Sequence, residues 1–123
     1  MSEAGPDMLD WTEGEAAILY QRCGCCQHVW YFRREFCPRC GGKGPKLLHA
    51  SGRGAVAAVS LVTRAPSAEL RRYAPYCIVL VDAEEGFRMM AQGDKSLALG
   101  DRVAVSFVPF AGRIIPYFRA TTA

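Results

Sequence analysis

The chain has 123 residues, of which 50% are hydrophobic, and a net charge of +3. A chain of this length holds one modest globular core with a small appendage. No run approaches the roughly 18 uncharged apolar residues that a membrane helix needs, and the N-terminus is acidic where a targeting peptide would be basic. We therefore expect a protein of the reducing cytosol with no membrane segment.

Charge is distributed unevenly along the chain. Residues 1–15 carry five acids and no base, residues 22–53 carry seven bases and one acid, and residues 54–123 carry eight bases and six acids. The basic excess lies around the cysteines, where it could attract an anionic ligand such as a nucleic acid or the phosphates of coenzyme A. A solvated, soluble surface explains the same charges equally well.

The sequence of residues 1–19 predicts an N-terminal tail and a short helical segment. The first ten residues mix Gly, Pro, Ser and acids, which is typical of a mobile tail. A short helical turn is expected between Trp11 and Leu19, leading into a strand. Trp11, Ile18 and Leu19 are apolar enough to pack on a neighbouring segment or another chain.

The sequence of residues 20–46 predicts a zinc ribbon. Cys23 and Cys26 form one Cys-x2-Cys pair, Cys37 and Cys40 form another, and ten residues separate the pairs. Four thiolates at this spacing can close a tetrahedral zinc site, and so short a segment needs a metal to fold. A site with four protein ligands leaves no position for a reactive water, so the expected role of the zinc is structural.

Other readings of the cysteines stay open. A disulfide framework and a redox Cys-x-x-Cys motif suit the sequence poorly, because the chain shows no secretory signal and no thioredoxin-like context. Iron is the closest rival, since CPRCGG has the proline and glycine of a rubredoxin knuckle. The first knuckle, CGCCQ, lacks the matching glycine, which favours zinc. Cys25 could replace Cys23 or Cys26, although only the Cys23/Cys26 choice gives two equal knuckles.

Residues 47–123 predict a β domain. Gly52 and Gly54 suggest a bend in a long first strand, as in a small closed barrel. The pattern fits a five-stranded barrel of the OB type, although an SH3-like barrel has the same strand count. The two-proline segment 64–75 is expected to be a surface or binding loop. The predicted strands cover residues 47–64, 76–83, 87–92, 102–108 and 114–122.

No catalytic constellation is evident in the sequence. His28 and His49 are expected to be structural or surface groups, and Cys77 a small buried hydrophobe. A hairpin turn explains the acidic cluster of Asp82, Glu84 and Glu85 without acid-base chemistry. Residues 52–54 do not make a phosphate-binding loop.

Taken together, several motifs resemble a known protein family. In chain order they are QRC-x2-C, an aromatic hairpin, CPRCG, SGRGAV, PYCIVLVDAEEGFRMM, LALGDRVAVSF and IPYFRA. The combination is similar to bacterial and archaeal stand-alone proteins with a rubredoxin-like zinc ribbon and an acyl-CoA-associated OB-fold, long catalogued as a domain of unknown function. The similarity covers about residues 11–120. It implies an all-β fold with a short N-terminal helical segment, a zinc ribbon and a five-stranded OB-fold barrel.

The resemblance also implies a function. Members of this family are non-catalytic accessory subunits of thiolase-like enzymes, such as thiolases, acyltransferases and aldolases, or of hot-dog-fold hydratases, and help to form the acyl-CoA entrance of the partner. The positions matching the family's zinc ligands are Cys23, Cys26, Cys37 and Cys40. The family has no catalytic motif to transfer to this chain.

The sequence therefore indicates two candidate functions. In the first, arginines near the ribbon and in the 64–72 loop pair with the phosphates of coenzyme A. The candidates are Arg33, Arg34, Arg64, Arg71 and Arg72. The second is binding of single-stranded nucleic acid, a role that zinc ribbons and OB barrels also serve. It would use aromatic side chains on the barrel, with Phe87, Phe107, Phe110, Tyr117 and Phe118 as candidates. The modest net charge and the acidic N-terminus count against it.

Overall fold

The computed structural model describes residues 9–64, 68 and 74–121. They form a small three-stranded sheet and a closed five-stranded barrel. Among these residues, no helix combines the length and the apolar character that crossing a bilayer requires. Most of the loop expected over 64–75 lies outside the described residues.

The N-terminal turn (Trp11–Glu13) is a single turn of 3₁₀ helix. The Asp10 carboxylate accepts a hydrogen bond from the Thr12 N–H at 3.0 Å, and the Glu13 carboxylate accepts one from the Asp10 N–H at 3.3 Å. This capping box satisfies donors that the start of a helix leaves unpaired. Gly14 ends the turn with a φ of 95°, which is why the helical segment expected near residues 11–19 is so short.

Three short strands form the ribbon sheet. They are β1 (Leu19–Arg22), β2 (Val29–Trp30) and β3 (Lys46–His49). The strand β1 lies in the centre and pairs antiparallel with both neighbours. The strand β3 spans the expected boundary between residues 46 and 47.

Five longer strands close the barrel in the order β4-β5-β6-β8-β7. All pairs are antiparallel except β6 with β8, which is parallel. This closed arrangement confirms the OB-fold prediction. A register shift between Val56 and Ala58 supplies the bulge that bends β4. The strands are β4 (Arg53–Val62), β5 (Tyr76–Ala83), β6 (Arg88–Gly93), β7 (Arg102–Phe110) and β8 (Arg113–Ala120).

The prediction of one long strand over residues 47–64 was wrong. The Ala50 N–H still donates to the Ile18 carbonyl on the ribbon side at 2.9 Å, whereas the Gly52 carbonyl accepts from the Val105 N–H of β7 at 2.8 Å. Gly52 has a φ of 82°, and a Cβ there would overlap Cγ1 of Val105. The chain leaves one sheet and enters the other at this glycine, so His49 lies in the ribbon sheet.

One hydrophobic core joins the ribbon to the barrel. Tyr20 of β1 stacks on Phe87 with ring centroids 5.1 Å apart, and Tyr31 stacks on the same ring at 5.6 Å. Ile18 and Leu48 belong to this core together with the inward side chains of the barrel strands. Met89 and Met90 occupy successive positions of a strand, so only one can face the core; the first is buried and the second is 63% exposed.

Replacement of Gly54 tests how closely β4 approaches β5. A Cβ at Gly54 would overlap the Asp82 carbonyl oxygen and lie 2.8 Å from Cγ1 of Val81. We expect Gly54→Ala to lower the free energy of unfolding by about 1–3 kcal/mol, as overpacking does. Gly24→Ala is the matched control, because its Cβ meets nothing within 4 Å. Urea unfolding measures both, and equal midpoints would contradict the packing described.

Candidate metal centre

Two turns of the same shape present the cysteine pairs. In the first, the Gln27 N–H donates to the Cys23 carbonyl at 3.2 Å, and in the second the Gly41 N–H donates to the Cys37 carbonyl at 2.9 Å. Gln27 has a φ of 64° and Gly41 a φ of 78°, so both turns end in the left-handed conformation. The glycine missing from the first turn is therefore replaced by a strained glutamine. The missing glycine consequently does not distinguish zinc from iron.

Four sulfur atoms converge where the two turns meet. The Sγ atoms of Cys23 and Cys40 lie 3.5 Å apart, and those of Cys26 and Cys37 lie 3.7 Å apart. All four lie within 4.8 Å of one another. Metal–sulfur bonds of about 2.3 Å in a tetrahedron place the sulfurs about 3.8 Å apart, so this cluster fits one tetrahedral ion.

Backbone N–H groups point at two of the sulfurs. The N–H groups of Cys26 and Cys25 donate to Cys23 Sγ at 3.4 and 3.3 Å and lower the pKa of that thiol to about 6. Burial raises the pKa of Cys37, but N–H groups of Cys40 and Arg39 lower it below its ordinary value. These dipoles favour the thiolate form that binds a metal.

The neighbouring sulfurs raise the pKa of Cys40 instead of lowering it. The Gly42 N–H lowers the pKa of Cys40, yet the other clustered cysteines raise it more, to about 12. The environment therefore resists a full set of four thiolates with no cation among them. A divalent ion removes this repulsion, which makes metal binding and the ribbon fold mutually dependent.

The space beside the cluster is open because residue 42 is glycine. A Cβ at Gly42 would lie 3.3 Å from Cys23 Sγ, 3.4 Å from Cys40 Sγ and 3.5 Å from Cys25 Sγ. The fifth ribbon cysteine, Cys25, is exposed and its sulfur is outside the group of four.

A buried glutamine supports the loop between the turns. Oε1 of Gln21 accepts from Trp30 Nε1 and from the Arg34 N–H, both at 2.7 Å, while Nε2 donates to the Arg34 carbonyl at 3.1 Å. Trp30 packs with Cys23 and Cys37 in a small cluster of its own. One side chain thus fixes both the tryptophan that covers the metal centre and the backbone of the exposed loop.

The arginines expected to bind coenzyme A have different surroundings. Arg33 forms ion pairs with Glu13 at 3.4 Å and Asp10 at 3.9 Å, which tie the ribbon to the N-terminal turn. Arg34 and Arg64 are exposed. Arg71 and Arg72 lie outside the described residues.

The acidic cluster holds the segment that connects ribbon and barrel. A Glu85 carboxylate oxygen accepts from the Ser51 N–H at 2.7 Å, and Glu84 pairs with Arg53 at 3.2 Å. Asp82 pairs with Arg88 at 2.7 Å, and the Arg88 hydrogen bond lowers the pKa of that carboxyl. These contacts give all three acids structural partners.

The two histidines lie in the ribbon, and Cys77 lies in the barrel core. His28 stacks on Trp30 with ring centroids 5.7 Å apart, and His49 pairs with Leu19 across the ribbon sheet. Cys77 is buried as expected, and burial raises the pKa of its thiol.

Sequence comparison gives the family. Residues 49–108 match the family described as ChsH2, C-terminal OB-fold domain. A DUF35 domain-containing scaffold protein of Methanothermobacter thermautotrophicus is 33% identical over 91 residues, which cover 70% of this chain and 68% of that protein. The chain belongs to the DUF35 family. A second such scaffold protein, from Methanocaldococcus jannaschii, is 38% identical over 76 residues that cover 61% of this chain but only 53% of the relative.

Solved structures show the same fold for this DUF35 protein. A chain of the structure described as Ltp2-ChsH2(DUF35) aldolase superposes with a TM-score of 0.71 at 23% identity, covering 85% of this chain and 84% of the other. A DUF35 protein of unknown function from Sulfolobus solfataricus superposes with a TM-score of 0.61 at 12% identity, covering 85% and 76%. The family resemblance expected from the ribbon and barrel motifs is confirmed.

Two supporting residues of this DUF35 protein were missed from the sequence. Gln21 is a polar residue in a strand otherwise typical of a ribbon, and only the structure shows that it is buried. Gln27 had a detectable signal, since it occupies the place of Gly41 in the second turn. A non-glycine residue at an equivalent turn position predicts local strain.

The two turns allow a reciprocal test of that strain. We expect Gln27→Gly to raise the free energy of unfolding by about 1 kcal/mol, since glycine adopts a positive φ without steric cost. Gly41→Gln introduces the same strain into the other turn and should lower the free energy of unfolding by a similar amount. Thermal unfolding of the metal-loaded protein measures both changes. A loss of stability in Gln27→Gly would show that the side chain, rather than the backbone, matters there.

Proposed function

We propose that this protein is a non-catalytic accessory subunit of a CoA-dependent enzyme complex, with a thiolase-fold or hot-dog-fold partner. The observation that carries the proposal is membership of a family whose matched relatives are named scaffold proteins. The similar fold seen in an Ltp2-ChsH2(DUF35) aldolase supports a partner of the aldolase or thiolase class. In this proposal the barrel and ribbon help to form the acyl-CoA entrance of the partner, in the cytoplasm.

We further propose that the four clustered cysteines hold one structural zinc ion. The distances suit a tetrahedral site, and closed sites of four cysteines are typical of structural zinc. The part of the ribbon around the two turns also needs the metal, because its apolar cluster of Trp30 and two buried cysteines is small, whereas Tyr20 and Leu48 pack into the barrel core. Iron remains the less favoured occupant, and its visible absorption would reveal it.

The nucleic-acid alternative has less support. Phe87 and Phe118 are only 4% and 2% exposed, so they cannot stack on bases without unfolding the core. Phe110 packs edge-on against Tyr76, and the Tyr117 ring is covered by the Arg119 guanidinium at 5.0 Å. The barrel aromatics are thus largely engaged within the chain.

The metal assignment has a matched pair of variants. We expect the wild-type chain and Cys25→Ser to contain one zinc per chain by elemental analysis, because Cys25 lies outside the cluster. Cys37→Ser removes one of the four sulfurs and should bind the metal weakly and unfold at a lower temperature. Zinc retained in Cys37→Ser but lost in Cys25→Ser would show that the ligand set is different. Iron in place of zinc in the wild-type chain would contradict the zinc assignment.

Co-purification tests the proposed function. A tagged full-length chain is expected to bring down a thiolase-, aldolase- or hydratase-type enzyme, identified by mass spectrometry and by its turnover of a CoA thioester. The enzyme is expected to lose activity or stability when this chain is omitted, while the chain alone turns over no thioester. Turnover by the isolated chain, or retention of RNA instead of an enzyme, would contradict the proposal.

A further inference from the structure

A shallow groove separates the ribbon from the β5–β6 hairpin. Its volume is about 300 Å³, and Phe32, Arg34 and Pro38 line the ribbon side. Gly86 and Arg88 line the hairpin side, and the buried ring of Phe87 lies between. We infer that this junction groove binds the partner enzyme, at a site where the partner carries acidic side chains and an apolar pocket. This inference rests on the proposed function.

An exposed aromatic ring marks the groove as an interaction surface. Phe32 is 76% exposed, more than any other large hydrophobic residue of the described chain. Met90 is 63% exposed and lies two residues beyond Arg88 on the same face of β6, opposite Leu80 of β5. Phenylalanine, methionine and arginine are the residue types enriched where proteins bind each other. The barrel strand beside the groove therefore also carries an exposed apolar side chain.

The charge of the groove specifies the partner. Within the described residues, Arg34 forms no ion pair, and neither do the exposed Arg39 and Lys43 of the neighbouring turn and loop. Arg88 carries its own carboxylate partner, Asp82, so the excess positive charge lies on the ribbon side, where Arg34, Arg39 and Lys43 outnumber the single exposed acid, Glu35. Carboxylates on the partner would pair with the arginines in bidentate geometry and steer the two proteins together.

The loop is ordered although it faces solvent. Gln21 holds both backbone polar groups of Arg34, and the Gly44 N–H donates to the Glu35 carbonyl at 3.3 Å. Burying a glutamine side chain costs free energy unless it forms hydrogen bonds, and here two of its three hydrogen bonds go to the backbone of the exposed loop. A loop fixed before binding loses less conformational entropy on binding, which suits an anchor residue such as Phe32.

The test measures binding of the purified enzyme subunit identified by co-purification. We expect Phe32→Ala to raise the Kd at least about 30-fold, the effect of removing a central anchor. Arg34→Glu should raise it by at least about tenfold and weaken the dependence of the association rate on salt, while both backbone bonds to Gln21 remain possible. Unchanged metal content and thermal midpoints would show that neither variant acts by unfolding.

Two exposed residues serve as matched controls. Leu99 is 69% exposed in the turn before β7, and Arg113 is exposed at the start of β8. Leu99→Ala and Arg113→Glu are expected to leave the Kd within about twofold, as surface contacts outside a hot spot do. If all four variants bind as wild type does, the groove is not the docking surface although the proposed function stands.

Two further results would overturn the docking inference. If the wild-type chain binds no CoA-dependent enzyme, the proposed function fails and the docking inference fails with it. If the wild type binds an oligothymidylate at physiological salt, and Phe32→Ala and Arg34→Glu abolish that binding, the groove is a nucleic-acid surface and the inference is overturned.

Discussion

The structure depends on how the ribbon is fixed to the barrel. Phe87 lies immediately before β6, and its ring stacks on the rings of Tyr20 and Tyr31 from the ribbon. The turn just before it supplies carboxylates to Ser51 and Arg53, in the connection between the two parts. Glycines at 52 and 54 allow the backbone to pass Val105 and Asp82 closely. The SGRG and VDAEEG motifs that suggested the family are therefore two sides of one contact.

The metal centre completes this arrangement at the other end of the ribbon. Its sulfurs arise from two turns separated by the loop that Gln21 holds, so closing the site also fixes the loop. Without a cation, four crowded sulfurs oppose each other, as the raised pKa of Cys40 indicates. With a bound cation, four cysteine ligands leave no open position for water or substrate, which suits a structural site rather than a catalytic one. Under the proposed function, the chemistry would be left to the partner, and this chain would contribute shape and charge.

The sequence predicted the parts of the fold that follow from local periodicity and metal spacing. The strand expected over residues 102–108 is found within β7, and successive positions sufficed at Met89 and Met90, because one face of β6 is buried. The division between β3 and β4 could not be read from residues 47–64, because it depends on long-range pairing: Ala50 bonds to Ile18 of the ribbon, whereas Gly52 bonds to Val105 of the barrel. Gln21 was missed for a related reason. Its burial depends on Trp30 and Arg34, which are distant in sequence and meet it only in the folded ribbon.

The central claim is that metal, loop and barrel junction make one rigid body that presents a preformed surface. Amide hydrogen exchange, followed by mass spectrometry before and after removal of the metal with a chelator, tests it most directly. The account expects metal removal to deprotect residues 23–44, the loop at Arg34 included, while β5 and β8 stay protected. Exchange in residues 23–44 that is the same with and without metal would contradict it.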